Sequence, residues 1–215
     1  MNSIDALALQ PLLGRHLAMY RAKVPYYQAT MLNCMLELWT GRHRRLLDVG
    51  GGTGVIAQAV ADLLPVEAVQ SVDLVDRYCA GLSIPVQTFD GRTLPFPDAH
   101  FDAAMLNNVV HHVPVEARTG LLREIRRAAR GPLYIKDHET SGVVDTLRLT
   151  ALDAIGNVPF GGMVWARYLA RSEWEELARA AGYRIAARAT GRYRSGLHAI
   201  LFPNRLEVTM RFEPA

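Results

Sequence analysis

The 215-residue chain is short of cysteine, of net charge and of long apolar runs, and each shortage removes a class of protein. Its two cysteines, Cys34 and Cys79, stand in unrelated segments. They offer neither a disulfide framework nor cysteine-based metal spacing, so reduced, buried thiols are expected. No apolar stretch approaches the ~20 residues of a membrane span. The opening residues MNSIDALALQPLLGRH lack the basic start and long apolar centre of a secretory signal, so a cytoplasmic chain is expected. A net charge of only +3 makes no demand for nucleic acid. The local clusters Arg42, Arg44, Arg45 and Arg123, Arg126, Arg127, Arg130 read as solvated surface, the second on a helix. Repeats and low-complexity tracts are absent too. What is present, 50% hydrophobic and 21% charged residues, suits one α/β domain.

Hydrophobic periodicity alternates between strand and helix. Strands are expected at Arg45–Val49, Ala68–Leu74, Pro85–Phe89, Phe101–Leu106, Leu133–Ile135, Tyr183–Ala189 and Leu197–Phe202. Helices are expected after Thr53, after Pro114, from Val143 to Ile155, and behind a capping box at Ser172 and Glu175. Residues 4–40 read as helix broken near Pro11 and Pro25. The expected fold is α/β: a doubly wound, mainly parallel, seven-stranded Rossmann-like sheet with helices on both faces and an antiparallel C-terminal strand. The expected organisation is a helical cover at 1–44, a ligand-binding domain at 45–202 with a covering insertion at about 141–171, and a tail at 203–215 that pairs as an edge or frays. In such sheets ligands bind at the carboxyl ends of the strands.

The first strand runs into Leu46-Leu47-Asp48-Val49-Gly50-Gly51-Gly52-Thr53-Gly54. Alternate glycines let a strand turn under a ligand and hand over to a helix whose N–H groups point back at it. A dinucleotide fingerprint needs Gly-x-Gly-x-x-Gly, and counted from Gly50 its third glycine falls on Val55. The acid Asp48 repels phosphate and suits a ligand with a cationic or hydroxyl-bearing part.

Asp-x-Gly-x-Gly-x-Gly resembles motif I of the class I S-adenosylmethionine (SAM) methyltransferases. The text FDGRTLPFPDAHFDAAMLNNVVHHV resembles the following region of ubiquinone-biosynthesis-type small-molecule methyltransferases. The resemblance covers about residues 45–202 and implies SAM as cofactor, with S-adenosylhomocysteine as product. Its cofactor residues would be Asp48, Gly50, Gly52 and Gly54 in the loop, and Asp73 at the end of strand two for the ribose hydroxyls. Asp90 and Gly91 would serve adenine, and Asn107 would follow strand four. Asp76 competes with Asp73 if the strand register is shifted. A carboxylate is the right partner for hydroxyls and for an exocyclic amine, since both donate.

Two histidines are candidates for chemistry. His138 ends strand five, where a neutral imidazole could take a proton from a substrate or merely cap the next helix. His112, of the pair His111-His112, could face substrate. Asp137 could orient His138 or bond elsewhere. No residue spacing calls for a metal. Phe160, Met163, Trp165 and Tyr168 in the covering segment could close an apolar pocket. The Asn/Asp-Pro-Pro-aromatic signature of adenine and glutamine amide methylation is missing after strand four. The expected activity is methyl transfer to an O, N or C nucleophile of a small molecule by a monomer or homodimer. The rivals are RNA or protein methylation and a non-catalytic SAM-binding domain.

Overall fold

Leu46 and Leu47 are both fully buried, yet they belong to different cores, because successive side chains of a strand point to opposite faces. Leu46 packs with Leu9, Leu13, Leu32 and Val60 from the helices before and after the first strand. Leu47 packs with Leu121, Leu122, Ile125 and Trp174 from two later helices. Met105 and Tyr134 join the first core, while Leu106 and Ile135 join the second. The sheet is thus buried on both sides, as its near-continuous apolar strands require. The computed structural model describes residues 3–157 and 166–215.

The strands are β1 (His43–Val49), β2 (Val66–Asp73), β3 (Val86–Thr88), β4 (Ala103–Asn107), β5 (Leu133–His138), β6 (Tyr183–Ala189) and β7 (Glu207–Pro214). They form one sheet in the order β3-β2-β1-β4-β5-β7-β6. The first five are mutually parallel, and β7 runs antiparallel to both β5 and β6. The helices are α1 (Ala6–Gly14), α2 (Tyr26–Leu38), α3 (Val55–Leu63), α4 (Val115–Ala128), α5 (Val143–Asn157), α6 (Arg171–Ala180) and α7 (Gly196–Leu201). Strand order reverses between β1 and β4, so the carboxyl ends of these two neighbours open the crevice in which such sheets bind ligands.

Three local expectations are corrected. Leu197–Phe202 is not a strand. Residues 196–201 form α7, whose Leu197, Ile200 and Leu201 are exposed, and the last strand is the segment 207–214, part of the tail expected to pair as an edge or fray. A six-residue apolar run fits either period. Glu207–Pro214 alternates cleanly, sends Val208, Met210 and Phe212 into the core and so takes the place beside β5. Residues 207–214 therefore pair inside the sheet, between β5 and β6, rather than at its edge. The helix α6 is capped two residues earlier than Ser172 suggests: Glu173 Oε2 accepts the Ala170 N–H at 2.8 Å. Pro11 does not break the first helix but lies inside α1, whose start is held by Asp5 Oδ1 accepting from the Leu7 and Ala8 N–H groups. Cys34 is buried and Cys79 half-buried, both as free thiols. Among the described residues no helix is long and apolar enough to cross a membrane.

Candidate active site

The glycine loop between β1 and α3 folds under backbone control. The Gly50 and Gly51 N–H groups both donate to the Val72 carbonyl, at 2.8 and 3.2 Å, and Gly54 N–H donates to the Gly51 carbonyl at 2.8 Å. Gly50, Gly52 and Gly54 all have positive φ. They differ in what a side chain would meet. A Cβ on Gly50 would lie 2.4 Å from Val109 Cγ2, and one on Gly54 would lie 2.5 Å from Leu82 Cδ1. A Cβ on Gly52, at φ +57°, would meet nothing within 4 Å. Gly50 and Gly54 are therefore demanded by packing as well as by backbone, whereas Gly52 turns an open face outward, which suits close approach of a ligand.

Two acids brace this loop. Asp73, the last residue of β2, accepts the Gly52 N–H on Oδ2 at 2.7 Å and the Val75 N–H on Oδ1 at 3.2 Å. An ionised carboxylate has about four acceptor positions, so capacity is left for hydroxyl donors. Asp76 lies beyond the strand, exposed. Asp48 is buried, accepts the Ser71 hydroxyl at 2.7 Å and sits beneath Gly51. Burial pushes its pKa up to about 7; the Ser71 bond opposes that rise, and the charge of Asp73 adds to it.

Asp90 follows β3 and is exposed; its Oδ1 accepts the Arg92 and Thr93 N–H groups, which hold its pKa below the usual carboxylate range. Gly91 has φ +77° and leaves no room for a Cβ beside Leu74. Asn107 ends β4, beside β1. Both polar atoms of its amide are buried without a hydrogen-bond partner among the described residues.

The carboxyl end of β5 carries a buried polar cluster that periodicity alone did not assemble. Lys136 Nζ donates to Tyr27 Oη at 2.5 Å and Asn108 Oδ1 at 2.6 Å, and pairs with Glu207. Burial opposes the ammonium charge, but Glu207 outweighs it and raises the lysine pKa. Arg194 and Tyr193 also donate to Glu207, at 2.6 and 3.0 Å. Next to this set, His111 Nδ1 meets Asp137 Oδ1 at 2.5 Å, and its Nε2 stands 3.3 Å from Asp153 Oδ2, out of line for a hydrogen bond. Burial works against a charged His111, yet Asp137 and then Asp153 lift its pKa to about 9. His138 is buried 3.3 Å from Glu207 Oε2, and burial followed by the Lys136 charge presses its pKa down to about 4. Asp137 does not bond the His138 ring; it accepts the His138 backbone N–H at 2.7 Å. The ring of His112 packs 4.0 Å from that of His111.

A family model described as a methyltransferase domain matches residues 47–131, from β1 through the end of α4. That match takes in less than half of the chain, and it makes this stretch similar to methyltransferase domains. An uncharacterized methyltransferase of Mycobacterium avium is 37% identical over 93 residues, and a release factor glutamine methyltransferase of Gloeobacter violaceus is 32% identical over 132 residues. These alignments take in 36% and 56% of this chain but only 35% and 44% of those relatives. Among solved structures, a Haloferax volcanii complex between a methyltransferase and the Trm112 methyltransferase activator matches with TM-score 0.68 at 13% identity, covering 98% of this chain and 96% of that one. The magnesium protoporphyrin IX methyltransferase of Synechocystis, with S-adenosylhomocysteine bound, matches with TM-score 0.60 at 15% identity, covering 92% and 87%. At these identities the structures bear on fold alone.

The sheet thus puts Asp48, the glycine loop, Asp73, Asp90 and Asn107 at one end, with His138 two strands away from the loop. Sequence reading missed Tyr27, Lys136, Asp153 and Glu207. The first three lie on β5 or on helices distant in sequence, and Glu207 was hidden in the segment taken for a tail. Phe160, Met163 and Trp165, expected to cover the site, lie outside the described residues; Tyr168 is buried and donates to Asp153 Oδ2 at 2.6 Å.

Proposed function

We propose that this protein transfers the sulfonium methyl of SAM to an O, N or C nucleophile of a small-molecule metabolite. The observation that carries the cofactor half is Asn107. A buried amide without partners costs roughly 1–3 kcal/mol, and this one stands at the switch point, at the end of β4 next to the end of β1 from which the glycine loop starts. A ligand laid across the loop would satisfy it. In this reading Gly50 and Gly54 shape the loop and Gly52 lets the cofactor approach. Asp48 fixes the loop from below through Ser71, while Asp73 receives the ribose hydroxyls. Asp90 and Gly91 border the adenine. The substrate would lie toward β5, and the protein would contribute mainly position and exclusion of water.

His138 is the candidate base. It is neutral at pH 7, as an acceptor must be, and Glu207 is placed to stabilise the imidazolium that forms. His112 is the second candidate. Support for a small substrate comes from the buried, mutually paired polar wall of Tyr27, Lys136 and Glu207, which suits a compact polar molecule. The rival reading, protein or RNA methylation, draws on the glutamine methyltransferase relative and on the neighbour solved with Trm112. Against it, β4 here leads into Asn107-Asn108-Val109-Val110 and not into Asn/Asp-Pro-Pro-aromatic.

Calorimetry with S-adenosylhomocysteine and NADH tests the cofactor. Micromolar or tighter binding of the first alone is expected, and the reverse result overturns the reading. Radiolabel transfer from SAM into a cell extract tests the substrate. Label in the small-molecule fraction supports the proposal, whereas label lost to protease or ribonuclease transfers it to the rival. His138→Ala and His112→Ala test the base. A fall of about 10²–10⁴ in rate, with S-adenosylhomocysteine affinity kept within a few-fold, marks the residue that takes the proton. If both variants turn over normally, no protein base is used.

A further inference from the structure

His111, His138 and Asp153 come from three separated elements: the turn after β4, the end of β5, and α5. One ring nitrogen from each histidine and one carboxylate oxygen of Asp153 lie within 4.8 Å of one another. His111 Nε2 is 3.3 Å from Asp153 Oδ2, and His138 Nε2 is 3.8 Å from Asp153 Oδ1. Ligands held about 2.0–2.1 Å from a tetrahedral ion stand about 3.4 Å apart, so small side-chain adjustments suffice. The outward-facing ring atoms strengthen the case. Each histidine turns Nε2 toward Asp153 and has a carboxylate behind Nδ1: Asp137, bonded at 2.5 Å, for His111 and Glu207, 3.3 Å away without a hydrogen bond, for His138. Asp153 is itself held by the Tyr168 hydroxyl at 2.6 Å. A carboxylate behind each ligating imidazole is the usual support of a metal centre, fixing ring orientation and raising ligand basicity. Both histidine side chains are more than nine-tenths buried, and His111 Nε2 has no hydrogen-bond partner.

We propose that His111, His138 and Asp153 bind one divalent transition-metal ion, of the zinc, iron or manganese class. Two imidazoles and one carboxylate suit these borderline ions, and three protein ligands leave positions open for water or a substrate oxygen. The ion would occupy the space into which His111 Nε2 now points, tying α5 to the carboxyl ends of β4 and β5. The site uses none of the residues assigned to the SAM cradle, and the sequence, which offered no metal spacing, had given no sign of it. It competes with the base assignment for His138, because a ligating imidazole has no lone pair left for a proton.

The test is cobalt titration of the chelator-stripped protein, read by visible absorption and by metal analysis after dialysis. One equivalent of Co²⁺ with a d–d band is expected, displaced by one equivalent of Zn²⁺. His138→Ala and Asp153→Asn should each weaken binding at least 100-fold, and Asp137→Asn about 10–100-fold, while the exposed His198→Ala changes nothing. Circular dichroism of Asp153→Asn, the milder change, separates ligand loss from unfolding. A wild-type protein that retains no metal and shows no band has only an ion-paired histidine here, and the proposal fails. Binding that survives both ligand substitutions is adventitious and refutes it equally. Neither result bears on S-adenosylhomocysteine binding.

Discussion

Asp48 should make the ligand-free protein less stable as pH rises. Its carboxyl is buried beneath Gly51, and its pKa stands at about 7 against 3.8 for the free side chain. A carboxyl whose pKa is raised on folding favours the folded state at low pH, where it is protonated in both states. That advantage is lost as pH climbs from the unfolded pKa to the folded one. Three units correspond to about 4 kcal/mol over the whole window. Asp48→Asn keeps an acceptor for the Ser71 hydroxyl and removes the ionisation. Its new N–H₂ donor adds a cost that does not depend on pH, so the pH-dependent part of the difference isolates the charge. Between pH 5 and pH 8 the variant should gain on the wild type by about 3 kcal/mol, two pH units at 1.36 kcal/mol each, and the gain should level off above pH 7. Guanidinium denaturation of both proteins at the two pH values, without cofactor, measures it. A difference constant to within about 0.5 kcal/mol would show that the carboxyl is not held neutral, and the account of the loop's underside would be wrong.

Three further outcomes follow from the same geometry. Gly52→Val should abolish S-adenosylhomocysteine binding by calorimetry while the fold survives, because its side chain enters open space at the cost of roughly 1–2 kcal/mol for the left-handed backbone. Gly50→Val should instead lose the fold by circular dichroism, since its Cβ collides with Val109 at 2.4 Å. Asp73→Ala should weaken S-adenosylhomocysteine by about 1.5–3 kcal/mol through lost charge-assisted bonds. Asp90→Ala should cost less and Asp76→Ala nothing, and a larger loss at Asp76 would move the ribose site. Lys136→Met leaves Glu207 paired with Arg194 but strips one partner from a buried ion pair, so a stability loss of about 3 kcal/mol is expected in denaturation. A loss under 1 kcal/mol would mean that Arg194 alone compensates Glu207.

The part of the molecule that was legible in the sequence is the part built from local pattern. Asp48 to Gly54 can be read because a strand, a tight turn and a helix start are written within a dozen neighbouring residues, and each leaves its own period or glycine spacing. Asp73 was picked out near the end of the second strand by its interval from the glycine loop. The β5 cluster left no such trace. Lys136 follows the three apolar residues that mark the fifth strand, and Glu207 begins a strand within the segment that reads as a tail. Asp153 lies on α5 among Thr150, Leu152 and Ala154, where nothing marks it as inward. What joins them is the antiparallel insertion of β7 between β5 and β6, which sets Glu207 opposite His138 in register. A pairing between residues 69 positions apart follows from the competition of two strands for one edge of β5. Leu197–Phe202 had the hydrophobicity for that place, but Glu207–Pro214 had the alternation. Packing at the edge rewards alternation: a one-residue slip would turn Met210 and Phe212 out of the core and Glu207 away from Lys136. The register that buries the apolar face is therefore the same one that closes the polar cluster, so substitutions in β7 should disturb the side of the site proposed for the substrate even though the strand lies outside the segment matched by the methyltransferase family model.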